Sequence, residues 1–314
     1  MIYDIRHRTR FRYAYPVRFA RCNLRLKPVD WPGQRLERHA LSITPEATLG
    51  LTRPTGYIAH MTRVVIDRPS SEIVIESRSR IIVDRPAPEP RPDDPTIAEV
   101  AAMARASRDL SATSPANYLF ASPLIAMFPE IAAWCAEELA PDRGIVEAGL
   151  ALARRIMAEF RYDGDATETD TSPAEAFAER HGVCQDFAQI MISGLRSAGL
   201  PAAYVSGYLR TLPPPGKPRL VGADATHAWV LIWCGPKRGW IGFDPTNGCA
   251  MANDHIVIAI GRDYSDISPV DGIFLGRDGQ RIDVEVDVEP LEEAILPLPG
   301  RENGAINAGS GASR

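Results

Sequence analysis

The sequence predicts an α+β fold in which an N-terminal antiparallel β domain precedes a core of helices packed on an antiparallel sheet. Three observations lead to this class: strand periodicity at the start of the chain, a proline-rich stretch after it, and helical periodicity beyond that stretch. The 314 residues suffice for two domains of medium size. We predict a β domain over 1–85, a linker over 86–95, a core with flanking helices and a C-terminal strand over 96–297, and a disordered tail over 298–314.

The β domain begins with a strictly alternating strand. Apolar and aromatic residues such as Tyr3, Ile5 and Phe11 fall on one face, whereas arginines dominate the other. This period of two is typical of a half-buried strand. Residues 1–40 hold ten Lys and Arg against three Asp and Glu. We interpret the arginines as the solvated side of the sheet because they follow the strand period, with polyanion binding as the alternative.

The following stretches also favour strands. "RHALSITP", "RVVIDR" and "SSEIVIESRSRIIV" show no helical period. "DRPAPEPRPDDP", which begins at Asp84, has the composition of an extended, semi-rigid linker. We therefore end the β domain where the prolines begin.

The core begins with helices. "TIAEVAAMARASRDL", "PEIAAWCAEELA" and "GIVEAGLALARRIMAEF" carry apolar residues at three- and four-residue steps, a pattern that places Trp134 and Cys135 in the core. Ahead of a further helix, Ser172 is a predicted N-cap, Pro173 occupies the first helical position and Glu175 completes a capping box.

Strands then return. "PAAYVSGYL", "THAWVLIW" and "WIGFDP" are rich in β-branched and aromatic residues, and "CGPKRG" is a turn. If this turn joins a hairpin, Trp233 pairs with Trp240, and Trp229 lies opposite Asp244 on the same face. His227 is then one diagonal step from Asp244, so the carboxylate can fix the tautomer of the imidazole.

Composition narrows the classes of function. The formal net charge of −5 argues against nucleic acid as a partner, and no stretch approaches the roughly 18 apolar residues of a membrane span. The opening "MIYDIRHRTRFRY" has no apolar core of signal-peptide length, so we expect a cytoplasmic protein. The five cysteines are scattered and odd in number, which favours reduced thiols. They form no C-x-x-C pair and no zinc-like cluster, so we expect neither a metal nor a cofactor.

Cys184 is the candidate nucleophile. It lies in "HGVCQDFAQIMISGLRSAGL", at the point where a helix is predicted to begin. Backbone N–H groups at a helix start stabilise an anion, and a neighbouring imidazolium lowers the pKa of a thiol further. With His227 as base and Asp244 as orienting acid, the residues match the logic of a nucleophile–base–orienter triad. We interpret Asp186, in the first turn, as a structural cap.

Three motifs resemble the transglutaminase-like superfamily of bacteria, which is related to papain-like cysteine proteases. They are "GVCQDFA", "ATHAWV" and "GWIGFDPTNG", in this order. "GRDYSDISPVDG" resembles a distal signature of the family, and the opening "YDIRHRTRFRYAYPV" with "LRLKP" is similar to the β domain of one bacterial subgroup. The resemblance implies a papain-like core in which a helix carries Cys184, the nucleophile, and a sheet carries His227, the base, and Asp244, the orienting carboxylate.

The resemblance also implies a reaction. The thiolate would attack an amide of a protein or peptide substrate and form a thioester acyl-enzyme. Transfer to water gives hydrolysis and transfer to an amine gives transamidation, while a catalytically silent binding module is a third alternative. The backbone N–H of Cys184 and the side chain of Tyr162 are candidate oxyanion donors. We expect Trp229, Tyr208 and Gln185 at the substrate cleft.

Two loops complete the prediction. "DGDATETD", from Asp163, is acidic but lacks the spacing of an EF-hand, so we interpret it as a solvated loop rather than a calcium site. "LPPPGKPRLVGAD", from Leu212, leads directly towards His227, and we expect it to border the cleft.

Overall fold

The computed structural model describes residues 1–163, 171–211, 225–277 and 279–291. The tail predicted as disordered, the loop from Leu212 and all but the first residue of the acidic stretch lie outside the described residues. Among the helices that are described, none combines the length and the apolar character that crossing a membrane requires.

Strands come first along the chain and helices concentrate in its middle, which confirms the α+β class. The described strands are β1 (Ile2–Val17), β2 (Phe19–Leu24), β3 (Gln34–Thr44), β4 (Thr48–Leu49), β5 (Arg53–Pro54), β6 (His60–Ile66), β7 (Ser70–Val83), β8 (Arg161–Tyr162), β9 (His181–Gly182), β10 (Ala202–Leu209), β11 (Ala225–Trp233), β12 (Trp240–Asp244), β13 (Cys249–Ala250), β14 (His255–Gly261), β15 (Val270–Leu275) and β16 (Gln280–Leu291). The described helices are α1 (Ile97–Arg105), α2 (Pro129–Cys135), α3 (Ile145–Glu159), α4 (Pro173–Glu179), α5 (Cys184–Ser197) and α6 (Tyr264–Ile267), with a short 3-10 helix at Pro115–Tyr118.

Two antiparallel sheets form the β domain, with strand orders β16-β1-β7-β3 and β15-β2-β6-β4. The alternation along β1 is the predicted one: Tyr3, Ile5 and Phe11 are buried, whereas the arginines between them keep solvent contact. Phe11 packs with Ile75 and Val64 in the apolar layer of this domain. A slip of one residue would expose the whole buried set, so this alternation fixes the register of β1.

The last two described strands return to the β domain, which differs from the prediction that 96–297 forms the core. β16 pairs with β1 and β15 pairs with β2, both antiparallel. Ion pairs and apolar packing both support the first pairing: Glu285 lies 4.0 Å from Arg8 and Asp283 lies 3.0 Å from Arg12, while Val288 is buried with Ile5. Opposite charges on neighbouring strands favour such a pair. The acidic residues of β16 therefore neutralise part of the positive charge that the N-terminal sequence shows when it is considered alone.

The core is built around an antiparallel sheet of order β13-β12-β11-β10-β14, called the core sheet below. Its hairpin has the predicted register, with Trp233 opposite Trp240. Apolar residues of α5, among them Phe187, share one buried cluster with Val230 and Ile232 of β11. The helix that begins at Cys184 is thereby held against the strand that carries His227.

The β domain covers the outer edge of the core sheet. Tyr3, Ile81 and Val288 of the β domain form one apolar cluster with Ile256 and Ile258 of β14. Because β14 is the last strand on that side of the core sheet, this contact shields an edge that would otherwise expose unpaired backbone groups.

Gly207 lies on β10, between β11 and β14, where the packing leaves no room for a side chain. A Cβ at this position would overlap the carbonyl oxygen of Ile256 and the ring of Trp229. We expect Gly207→Ala to lower the free energy of unfolding by about 1–3 kcal/mol, the usual cost of overpacking a filled interior. Urea unfolding measures this loss, with Gly56→Ala as control because a Cβ at Gly56 meets nothing within 4 Å. Equal midpoints for the two variants would contradict this packing.

Candidate active site

Cys184 is the first residue of α5, as predicted, and its side chain is half-buried. The Asp186 carboxylate accepts a hydrogen bond from the backbone N–H of Val183 at 2.8 Å. This contact is the structural cap that the sequence predicts for Asp186. Gly182 lies two residues before the thiol, and the space there admits no side chain. A Cβ on Gly182 would lie 2.6 Å from the carboxylate of Asp186.

His227 and Asp244 form a buried pair on neighbouring strands. Nε2 of His227 lies 2.8 Å from Oδ2 of Asp244, and the two side chains are 7% and 0% exposed. The hairpin register produces this contact, since it places Trp229 opposite Asp244 and His227 one diagonal step away. The predicted base and its orienting acid are therefore in direct contact.

The thiol of Cys184 lies close enough to His227 to raise the pKa of its imidazole, as Asp244 also does. Because Nε2 is engaged by Asp244, Nδ1 is the ring nitrogen that remains for the sulfur. Burial by itself would lower the pKa of His227, but hydrogen bonds and charge from Asp244 and Cys184 raise it to about 10. The raised pKa favours the imidazolium form of His227, the form that stabilises a neighbouring thiolate.

The Asp244 carboxylate accepts five hydrogen bonds from the described residues. Its Oδ2 accepts from Nε2 of His227, from Nε2 of His255 at 3.1 Å and from Nδ2 of Asn247 at 2.7 Å. Its Oδ1 accepts the backbone N–H groups of Thr246 at 2.9 Å and Asn247 at 3.2 Å. Burial would raise the pKa of Asp244, but these hydrogen bonds and the charge of His227 hold it well below its usual range. The carboxylate is therefore ionised whenever the fold is intact.

His255 is a member of the site that the sequence reasoning missed. It is 4% exposed, and its Nδ1 accepts the backbone N–H of Ala252 at 3.3 Å. The neutral ring must then carry its proton on Nε2, from which it donates to Asp244. The sequence feature that could have indicated this role is the position of His255 at the start of the apolar stretch "HIVIAIG". A histidine in such a place is usually interpreted as a buried packing residue.

The same three side chains could be considered as metal ligands, since His227, Asp244 and His255 offer atoms that all lie within 4.8 Å of one another. A ligating nitrogen must be free of a proton. Nε2 of His255 carries one, because Nδ1 is the acceptor of the Ala252 N–H. The observed arrangement therefore fits a hydrogen-bond network rather than a cation.

Two of the three residues expected at the cleft are buried behind the site. Trp229 is 0% exposed, stacks on His227 and donates its Nε1–H to the sulfur of Met251 at 3.2 Å. Tyr208 is 3% exposed, and its hydroxyl lies 2.9 Å from Nδ1 of His7 in the β domain. The expectation for these two residues is wrong, because side chains packed inside the protein cannot meet a substrate. Gln185, at 9% exposure, lies beside the thiol in the first turn of α5.

Tyr162 lies close to the thiol and is accessible to a substrate. It pairs with Gly182 in the parallel β8–β9 bridge, and its side chain is 57% exposed. Burial of part of the ring and the charge of Cys184 raise the pKa of Tyr162, so its hydroxyl stays protonated and able to donate. Its role as an oxyanion donor stays a prediction.

A thiol at a helix start, beside a buried imidazole that contacts a carboxylate, defines the class of cysteine nucleophiles with a base and an orienter. Two family models match the chain: the bacterial transglutaminase-like N-terminal region over residues 3–82 and the transglutaminase-like superfamily over residues 133–245. The chain belongs to the transglutaminase-like superfamily.

The chain has relatives over almost its full length, and a solved structure shares its fold. An uncharacterized protein of Mycobacterium tuberculosis is 36% identical over 298 residues, 94% of each chain, and one of Mycobacterium leprae is 30% identical over 292 residues, 91% of this chain and 97% of that one. A protein-glutamine gamma-glutamyltransferase of Pseudomonas aeruginosa is 42% identical over 82 residues, 26% of this chain and 12% of its own. The structure of a candidate cysteine protease from Cytophaga hutchinsonii has the same fold, with a TM-score of 0.65 and 19% identity over 93% of this chain and 92% of that one.

Proposed function

We propose that this protein is a cysteine-dependent enzyme that hydrolyses an amide bond of a protein or peptide through a thioester on Cys184. The observation that carries the proposal is the position of His227, which is hydrogen-bonded to Asp244 and lies beside the thiol of Cys184. Three of the other four cysteines, Cys22, Cys135 and Cys234, are buried. The odd number of free thiols supports a reducing, cytoplasmic setting.

The first half of the reaction forms the acyl-enzyme. The Cys184 thiolate attacks the amide carbon, and the carbonyl oxygen becomes an oxyanion that the backbone N–H of Cys184 and the hydroxyl of Tyr162 stabilise. The His227 imidazolium gives its Nδ1 proton to the amide nitrogen as the C–N bond breaks, and an amine leaves. Asp244 holds the ring orientation throughout and keeps its own charge.

The second half restores the thiol. Water attacks the thioester carbon while neutral His227 takes a proton from it. The C–S bond breaks, the acyl group leaves as a carboxylic acid, and the sulfur returns to the thiolate–imidazolium state. All atoms of the amide and of one water molecule are accounted for in the acid and the amine.

Transamidation on the same triad is the second candidate. The segment shared with the protein of Pseudomonas aeruginosa favours it, because that protein is named a protein-glutamine gamma-glutamyltransferase. An amine would then replace water in the second half-reaction. Incubation with a glutamine-containing peptide library and a labelled primary amine separates the candidates: incorporated amine supports transfer, and released acid alone supports hydrolysis.

A third candidate, a binding module without catalysis, predicts an ordinary thiol at position 184. We expect the opposite: iodoacetamide should alkylate Cys184 at least about tenfold faster than Cys249 at neutral pH, because a thiolate reacts and a thiol does not. Cys249 is the matched control, since it is half-buried like Cys184, while burial and the charge of Asp244 raise its pKa to about 11. Peptide mapping by mass spectrometry measures both sites in one sample. Equal labelling of the two thiols in the folded protein would overturn the proposed function.

A further inference from the structure

Asp244 is shared by two imidazole rings rather than one. Nε2 of His255 reaches the same oxygen, Oδ2, that accepts from His227. The His255 ring is enclosed, with the edge of Trp229 against it at 5.3 Å between ring centroids. Its second nitrogen is fixed by the backbone N–H of Ala252. His255 therefore has one tautomer and one orientation, and both direct a proton towards Asp244.

The backbone of His255 is held by the β domain. The Arg85 guanidinium donates from Nη1 to the carbonyl oxygen of His255 at 3.1 Å and from Nε to that of Pro32 at 3.1 Å. The backbone N–H of Arg85 also donates to the side chain of Asn253 at 2.7 Å. A buried arginine at the end of the β domain thus ties the segment that leads into β14 to that domain.

A second tie lies two residues further along β14. The Gln34 side chain accepts the N–H of Val257 at 2.8 Å and donates to the carbonyl oxygen of Val257 at 2.7 Å. The same amide donates to the carbonyl oxygen of Val29 at 2.8 Å. Gln34 is 5% exposed, so these bonds are shielded from water. It pairs with β14 as a neighbouring strand would, on the edge where the core sheet ends.

We propose that His255 is a positioning residue for Asp244, and that the β domain, through Arg85 and Gln34, holds His255 in the place from which it does so. This inference rests on the proposed function, because it concerns the reactivity of Cys184. A connected set of contacts runs from the β domain through His255, Asp244 and His227 to the thiol. The β domain therefore contributes to the geometry of the active site.

The direct test compares His255→Phe, which keeps a ring and loses the donor, with His255→Gln, which keeps an N–H donor. The readout is the rate of iodoacetamide labelling of Cys184 as a function of pH. The titratable and charged groups around Cys184 and His227 are Asp244 of β12, His255 of β14, Tyr162 of β8, Tyr204 of β10 and Asp186 of α5.

We expect His255→Phe to slow labelling at neutral pH about tenfold and to raise the pH of half-maximal labelling by about one unit, since Asp244 loses a donor that fixes its orientation towards His227. His255→Gln should recover labelling to within about threefold of wild type, because its amide replaces the donor. A merely structural role would lower the melting temperature and leave the pH midpoint in place. A folded His255→Phe protein with the wild-type profile overturns the inference.

The β-domain arm uses Arg85→Met, with Arg68→Met as the matched control because Arg68 also donates to a backbone carbonyl oxygen of the β domain, that of Glu46. Arg85→Met should shift the Cys184 profile in the same direction as His255→Phe, by about threefold in rate, and Arg68→Met should not. Identical profiles for both arginine variants overturn the inference even where His255→Phe fails to fold. Wild-type labelling of Cys184 no faster than that of Cys249 would instead reject the proposed function itself.

Discussion

Cys184→Ala is expected to abolish turnover, with a loss of about 10⁴-fold or more in kcat, while the melting temperature changes by only a few degrees. Loss of the nucleophile removes the covalent pathway altogether. The fold should tolerate the change because Cys184 is half-buried at the first position of α5, and alanine is a good helix former. Cleavage of a peptide library followed by mass spectrometry measures the activity, and differential scanning calorimetry measures the fold.

Cys249→Ala is the control for this experiment, because it removes a half-buried thiol next to Asp244 that the mechanism does not use. It should retain turnover. If Cys184→Ala unfolded the protein, Cys184 would be a packing residue; if it retained turnover, the thiol would not be the nucleophile.

Asp244→Asn is expected to have the second largest effect, a fall in kcat of about 10⁴-fold, the size seen when an orienting carboxylate is replaced in a serine protease triad. The amide cannot accept from both His227 and His255 and still satisfy Asn247, so the imidazole of His227 loses its fixed tautomer. Removing the charge also removes a main cause of the raised pKa of His227. Nuclear magnetic resonance titration of the His227 ring measures that change.

Asp271→Asn is the matched control, because it makes the same substitution on β15 of the β domain, where Asp271 pairs with Arg25. It should leave both turnover and the His227 titration unchanged. A His227 pKa that stayed near 10 in Asp244→Asn would contradict the assignment of Asp244 as its orienting partner.

The same buried pair predicts how stability depends on pH. The folded pKa of His227 lies above its ordinary value, so its contribution is complete below about pH 6.5 and is lost as the pH rises towards 10. The pKa of Asp244 is lowered, so its contribution is present above about pH 4 and is lost as the pH falls. Urea unfolding in the Cys184→Ala background, where no thiol titrates beside the ring, should therefore show a loss of stability as the pH rises above about 6.5, with a flatter profile when Asp244→Asn is added. Parallel profiles for the two proteins in this range would contradict the pairing.

The local parts of the site could be predicted from sequence because each depends on near neighbours. The start of α5 follows from a capping carboxylate at Asp186, and the contact of His227 with Asp244 follows from a short turn that sets Trp233 against Trp240. The alternation of β1 was equally readable, since its period does not depend on which strands lie beside it.

The parts that could not be predicted depend on distant pairings. β16 pairs with β1, where its acidic residues lie beside arginines from the other end of the chain. The sequence of either segment alone does not indicate which strand it pairs with. His255 of β14 contacts Asp244 of β12 across the core sheet, and these two strands are not neighbours in it. Such a contact depends on the assembled sheet rather than on either local sequence. Tyr208 was expected at the cleft, but the β domain covers that part of β10 with His7. Burial of this kind is set by docking of the two domains.

The central claim is that Cys184 forms a thioester, and acylation by p-nitrophenyl acetate tests it most directly. After an acid quench within the first turnover, intact-mass and peptide mass spectrometry locate the transferred acetyl group. We predict one acetyl group per chain on Cys184, none on that peptide in Cys184→Ala, and formation slowed about 100-fold or more in His227→Ala, which lacks the general base. An acetyl group found on other side chains, with Cys184 unmodified in the wild-type protein, would contradict it.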